Sequence, residues 1–391
     1  MGTSKGIAQQ ATFAWALPAG VGVALASRAA VLAVAVLAAL TADISPNAAS
    51  FDARGLTHPL GGAGDVLLSP LARWDAVWYL SIAWNGYGAT GIESAFFPLY
   101  PLLVWVVGGG PLASPGTLLV AAYGVSLGAF AGALHLLHRL AEIELGRPAA
   151  RATLLLLAFF PASLWFGAPY SESLFLLLSV GAFYAARTDR LAVAGACAGL
   201  ASATRSAGIV LVLPLLMMSG WRRQSWWLAL GPAGLAAYSA YLGLAHGDAL
   251  AWLDIQQAWF REFAGPFGGV WDALVVGWRS FGDLGAAGAT GELARRNVVD
   301  LPFLAFALVG LVGVWMRLPR PYGVYVLCAL ALPLSFPVAQ EPLMSLPRFV
   351  SVLFPVFMWL AIAVRLERAL VVSGLGLGLL TAWFATWEWV A

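Results

Sequence analysis

Apolar residues in this chain fall in long unbroken blocks rather than in alternation with polar ones. A membrane-crossing helix needs about 20 mostly apolar residues, and blocks of that kind occupy 17–41, 117–138, 151–168, 171–187, 226–245, 298–316, 322–338, 347–364 and 370–390. Segment 191–220 is long enough for two short half-spans, with the bend at Ala203-Thr204-Arg205-Ser206-Ala207-Gly208. Segment 96–109 is apolar but short, and it holds Pro98 and Pro101. Backbone N–H and C=O groups must be paired internally in hydrocarbon, which leaves helices or closed barrels. Continuous Leu/Ala/Val runs do not suit a barrel strand, so the pattern predicts an all-α polytopic membrane protein.

Composition agrees. Of 391 residues, 61% are hydrophobic and 10% charged, against about a quarter charged in soluble domains. The 18 Trp and 10 Tyr suit residues that favour membrane–water interfaces. A net charge of +2 gives no case for a nucleic-acid partner. Cys197 and Cys328 both sit in apolar stretches, so neither a disulfide framework nor a metal site is signalled. The apolar run within 13–41 is too long for a signal-peptide core, which predicts an uncleaved first helix.

Cytoplasmic loops are enriched in Arg and Lys. The basic loops Arg139/Arg147/Arg151, Arg187/Arg190, Arg222/Arg223, Arg317/Arg320 and Arg365/Arg368 can share the cytoplasmic side with Lys5 if 117–138 is the only crossing between residue 95 and Arg139. Segment 96–109 then lies in, or dips into, the outer leaflet. The expectation is one integral-membrane domain over 1–391 in the cell membrane, with about eleven spans. Its first extracytoplasmic loop, 42–116, carries juxtamembrane helices, and 246–297 is a second outer loop. The turns near 169–173, 203–208 and 339–348 face the same side.

Four constellations there can carry chemistry. The first runs from Arg73-Trp74-Asp75-Ala76-Val77-Trp78-Tyr79 to Asn85-Gly86-Tyr87, an aromatic-rich amphipathic helix suited to a membrane surface. Asp75 beside its apolar face is either a carboxylate tuned to take a proton from an attacking hydroxyl or a solvated interfacial residue paired with Arg73. The second, Ser94-Ala95-Phe96-Phe97-Pro98-Leu99-Tyr100-Pro101, forms a rigid ring-lined wall for an isoprenoid chain or a sugar face, or an interfacial anchor. The third is Gly167-Ala168-Pro169-Tyr170-Ser171-Glu172-Ser173, where Ser171 is a plausible N-cap. Glu172 there either complements the helix dipole or accepts substrate hydroxyls. The fourth is Arg205 at the bend of the half-spans, with Arg348 in Ser345-Leu346-Pro347-Arg348-Phe349. Arginine inside a bilayer usually lines a cavity and meets an anion, and its planar fork of donors suits phosphate; snorkelling to head groups is the plain alternative. Arg28, within the first span, is less interpretable.

Other patterns are dismissed. Gly2-x-Ser4-x-Gly6 lacks the strand that a nucleophile elbow requires. His135 and His138 have no third ligand nearby in the sequence. Gly124-x-x-x-Gly128, Gly195-x-x-x-Gly199 and Gly374-x-x-x-Gly378 read as small-residue helix-packing signals. There is no DxD pair, and no Walker A loop to suggest ATP-driven transport.

Taken in order, Arg73-Trp74-Asp75-Ala76, Ile82-Ala83 to Gly86-Tyr87, Ala95-Phe96-Phe97-Pro98, Pro161, Tyr170-Ser171-Glu172-Ser173, Thr204-Arg205-Ser206-Ala207-Gly208 and Pro347-Arg348-Phe349 resemble the PIG-V mannosyltransferases of the GT-C superfamily, over about residues 15–365. The resemblance implies an inverting glycosyltransferase that uses no metal or cofactor. It would move a hexose, mannose in this family, from a polyprenyl-phosphate-linked donor to an acceptor hydroxyl outside the cytoplasm. It maps the catalytic base to Asp75 and the lipid phosphate to Arg205 and Arg348. Arg73, Trp74, Tyr79, Phe97, Tyr100, Tyr170, Glu172 and Gln256 are then expected around the substrates. Val77 and Leu99-Tyr100-Pro101 depart from the eukaryotic pattern, so the GPI-precursor acceptor is not carried over; a glycolipid, lipoglycan or protein remains open as acceptor. The competing class is a transporter or flippase for a phosphate-bearing lipid, which would show paired broken helices in an internal repeat. The two halves of this chain differ.

Overall fold

The computed structural model describes residues 3–88 and 91–390, with the side chains of residues 1–19 and 49 outside the description, Lys5 among them. Every regular element among the described residues is helical, and the sole β-type pairing is an isolated bridge between Arg261 and Val338. Among the described residues five helices are long and apolar enough to cross a membrane: Gly20–Thr41, Pro115–Leu145, Arg223–His246, Ala289–Arg317 and Leu366–Ala385. Shorter apolar helices cover Leu191–Ser202, Ser206–Ser219 and Phe354–Ala363. The chain is an all-α polytopic membrane protein.

Several predicted spans are interrupted helices, and proline is the recurring cause. The block 151–168 becomes a helix Arg147–Ala158 and a 3₁₀ segment Pro161–Phe166, because Pro161 cannot donate to the preceding turn. The block 347–364 splits into Leu346–Ser351 and Phe354–Ala363, with Pro355 in the first turn of the second piece. The short segment 96–109 contains only the nine-residue helix Leu99–Val107. The half-spans of 191–220 appear as Leu191–Ser202, the 3₁₀ turn Ser206–Leu211 and the helix Val212–Ser219, with the bend at residues 203–205.

A break in an apolar helix strands carbonyl groups that need donors. Arg28 supplies them at the Pro161 break. Its Nη2 donates to the Ala158 carbonyl (2.8 Å) and to Ser163 Oγ (3.1 Å), and its Nη1 to the Ser163 carbonyl. The arginine within the first span is thus a backbone clamp, with its guanidinium stacked over the Phe130 ring at 4.9 Å.

Of the three glycine pairs read as packing signals, one sits in a tight interface. A Cβ on Gly195 would lie 2.1 Å from the Trp227 carbonyl oxygen, and one on Gly199 2.6 Å from that of Leu230. Gly124, Gly128, Gly374 and Gly378 face open space, so spacing alone misassigned those two pairs.

Candidate active site

The first loop builds its site from a turn. Arg73 and Trp74 precede the helix Asp75–Asn85 rather than forming part of it, and Trp74 is held at φ +53°, uncommon and costly for a bulky residue. That conformation is held by Tyr170, whose hydroxyl donates to the Arg73 carbonyl (2.9 Å) and accepts from the Asp75 backbone N–H (3.1 Å). Asp75 therefore occupies the first helical turn, where a carboxylate complements the dipole. The helix closes at Gly86, whose N–H bonds the Ile82 carbonyl at 2.8 Å with φ +73°, an ending open to glycine.

Arg205 comes from the bend. The 3₁₀ turn after it folds back on the end of helix Leu191–Ser202 so closely that a Cβ on Gly208 would lie 2.2 Å from the Ser202 nitrogen. Arg205 is itself extended, and the preceding Ala203 carbonyl accepts the Leu99 N–H at 3.0 Å. The bend is thereby fastened to the proline-rich part of the first loop. Glu172 opens the helix Glu172–Arg187, and Arg348 lies on the short helix Leu346–Ser351.

These four side chains form one alternating run of charge. Arg348 Nη1 donates to Asp75 Oδ2, and Arg205 Nη2 donates to Glu172 Oε1. Arg348 Nε stands 3.1 Å from that same Glu172 oxygen, an ion-pair separation that lacks hydrogen-bond alignment. Glu172 is fully buried and its Oε2 has no hydrogen-bond partner, whereas the Asp75 side chain keeps 15% of its surface accessible. The Phe349 ring lies under both guanidiniums, 5.7 Å from Arg205 and 5.9 Å from Arg348. Tyr170 also faces Arg348, at 5.5 Å. Two carboxylates and two guanidiniums balance; of the two carboxylates only Asp75 keeps access, while the Arg205 and Arg348 side chains are 14% and 11% accessible.

Of the other residues expected at the site, Tyr79 lies beside the array, its ring 6.2 Å from that of Tyr170, and the rest are placed elsewhere. Arg73 turns away from Asp75: its Nε donates to the Ala385 carbonyl (3.1 Å) and its guanidinium stacks over Trp387 (5.0 Å). The anticipated Arg73–Asp75 pairing is not made, because Arg348 takes the carboxylate. Trp74 is packed edge-on to Phe51, Trp387 and Trp389. Tyr79 spends its hydroxyl on Ser171 (2.8 Å), so Ser171 makes no capping bond to the helix it precedes. Tyr100 is wholly buried and bonds the Ala122 carbonyl (3.1 Å) and Ser126 Oγ (2.9 Å). Phe97 packs against Tyr238 and Trp252. Trp74, Phe97 and Tyr100 are buried by the segments that pack on them. Gln256 bonds back to the Trp252 carbonyl at 3.3 Å. That second loop reaches the first through Trp252 against Phe97, the Ala251 carbonyl accepting from Ser94 Oγ (3.1 Å) and Trp259 meeting Phe96 at 6.4 Å.

Sequence reasoning passed over Phe349 as a shared platform. It also missed Arg261, whose Nη1 and Nη2 hold the Phe336 (3.2 Å) and Met344 (3.1 Å) carbonyls of the loop before Arg348. Nothing in local spacing signals either. A cavity of about 1030 Å³, lined by residues such as Leu60, Val107, Pro115 and Val120, contains none of the four charged residues. Among the described residues no group of three or more His, Cys, Asp and Glu is placed to hold a metal.

Residues 25–223 match the family described as mannosyltransferase (PIG-V). That range takes in Asp75, Glu172 and Arg205 but stops short of Arg348. The chain is 34% identical over 122 residues to GPI mannosyltransferase 2 of Drosophila melanogaster, covering 29% of this chain and 26% of the relative. For the Drosophila pseudoobscura pseudoobscura protein of the same name, identity is 32% over 119 residues, again with 29% and 26% covered. The matched stretch thus spans about a quarter of the length of these curated relatives. With the family match extending over half of its residues, the chain belongs to the PIG-V mannosyltransferase family.

Proposed function

We propose that this protein is an inverting mannosyltransferase that takes its sugar from a polyprenyl-phosphate-linked donor at the extracytoplasmic face. The observation that carries the reading is the run Asp75–Arg348–Glu172–Arg205, an accessible carboxylate in one charged array with two arginines. The Asp75 carboxylate takes the proton of the acceptor hydroxyl as that oxygen attacks the anomeric carbon. The bond from that carbon to the phosphate oxygen breaks on the opposite face, and polyprenyl phosphate leaves with the electron pair. Arg348 pairs with the Asp75 carboxylate and orients it. The ion pairs engage Nη1 and Nε of Arg348 and Nη2 of Arg205, and a guanidinium has five N–H donors. The remaining donors suit the phosphate, stabilising charge as it develops in a dry site. Glu172 fixes both guanidiniums at one spacing.

The test uses the full chain in lipid nanodiscs with radiolabelled polyprenyl-phosphate mannose and octyl α-mannoside as acceptor. Labelled disaccharide glycoside formed by the native chain and lost in Asp75→Asn supports the reading. Full transfer by the variant overturns it, as does lipid movement across proteoliposomes with no glycosidic product.

A further inference from the structure

A second cavity of about 350 Å³ is lined by Glu292, Arg296, Asp300, Glu341, Trp383 and Trp389 among others. Glu292, Arg296 and Asp300 follow one another at four-residue spacing on the helix Ala289–Arg317, which puts them on one face. Arg296 Nη1 donates to Glu341 Oε2 at 3.3 Å, and Arg296 Nη2 stands 3.9 Å from Glu292 Oε2. Glu341 is only 6% exposed; Arg296 bonds its Oε2, and the Trp389 side chain lies within hydrogen-bonding reach of the same carboxylate. The two partners hold Glu341 in the cavity wall. Trp389 connects the cavity to the array: its ring meets that of Trp74 edge-on at 5.0 Å, and Trp74 immediately precedes Asp75.

The lining selects a chemistry. Indole faces favour the C–H faces of a sugar ring, while carboxylate acceptors and a guanidinium donor match its hydroxyl groups. A phosphate would meet four acidic groups (Glu292, Asp300, Glu341 and Glu388) against two guanidiniums (Arg295 and Arg296), which disfavours an anion. A volume of about 350 Å³ is at the small end of ligand sites. We propose that this cavity is the subsite that seats a saccharide ring of the acceptor, with Trp389 joining it to Trp74 in the turn that carries Asp75. The role as acceptor subsite rests on the transfer reaction proposed above.

The experiment measures binding of octyl α-mannoside and octyl α-glucoside by saturation-transfer NMR to the full chain in nanodiscs, with octanol as the control for the alkyl chain. Signal on the sugar ring protons is expected for one or both glycosides. Glu341→Gln and Trp383→Ala should each weaken binding at least tenfold, and Glu388→Gln, on the same lining, serves if Trp383→Ala does not fold. Ring-proton signal that is absent, or unchanged in Glu341→Gln and the folded second variant, overturns the proposal and leaves a cavity filled by water only. The two readings fail separately. Loss of sugar binding in Glu341→Gln alongside full transfer by Asp75→Asn keeps the subsite and removes Asp75 as base. Loss of transfer in Asp75→Asn with unaltered binding in the cavity variants does the reverse.

Discussion

The Tyr170 hydroxyl closes a ring around the turn that carries Asp75, accepting from the Asp75 N–H and donating to the carbonyl of Arg73. A tyrosine 95 positions away in the chain thus holds the φ +53° conformation of Trp74 and sets where the carboxylate points. Tyr170→Phe removes both bonds and leaves the Asp75 N–H without its acceptor, a loss of about 1–3 kcal/mol. The expected outcome is a reduced kcat with a nearly unchanged KM for the donor. Steady-state kinetics check it, and an unaffected kcat would remove Tyr170 from the site's support.

Asp75→Asn keeps the side-chain shape and an acceptor for Arg348, and Arg348 retains Glu172. Thermal unfolding should therefore shift little, while transfer falls by about 10²–10⁴-fold, the usual contribution of a general base.

Glu172 is the structural centre of the array, and its removal strands two guanidiniums in a buried place. Glu172→Ala should destabilise the protein by about 3–5 kcal/mol, and Glu172→Gln by less, since the amide oxygen still accepts a bond. Unfolding of the purified variants in detergent ranks them; equal stability of Glu172→Ala and the native chain would show that the pairs contribute nothing.

Arg205→Lys retains the charge and loses the planar fork. The expected effect is a KM for the phosphate-linked donor raised roughly tenfold, equivalent to about 1.4 kcal/mol, and weakened competition by polyprenyl phosphate. An unaltered KM would place the phosphate elsewhere.

Two alanine substitutions at glycine should behave oppositely. Gly208→Ala puts a methyl 2.2 Å from the Ser202 nitrogen, forcing apart the turn that positions Arg205, so activity should be lost through displacement of a residue that is itself unchanged. Gly124→Ala meets open space within the helix Pro115–Leu145, where alanine is favoured by about 0.5–1 kcal/mol. Melting temperatures and transfer rates of the pair check both.

The membrane-helical character was legible in the sequence because it depends on composition and on the length of apolar runs, both of which are local. The bend at Arg205 was legible for a similar reason: a polar Thr-Arg-Ser followed by glycine interrupts an apolar block. Where arginine collects predicts which residues share a side of the membrane, but it does not predict their partners. Asp75 is joined to Arg348 across 273 positions and Arg205 to Glu172 across 33, and no local pattern encodes which guanidinium meets which carboxylate. Sequence proximity suggested Arg73 for Asp75, but Arg73 is held by the Ala385 carbonyl and the Trp387 ring. Tyr79 and Tyr100 look like ligands in a polar-aromatic stretch, and packing engages their hydroxyls with Ser171 and with Ala122 and Ser126. The sequence by itself therefore determined an all-α membrane chain with its charges gathered at a few bends. Only the tertiary structure decided which of those charges pair, and which aromatics are buried, because both depend on contacts between distant segments.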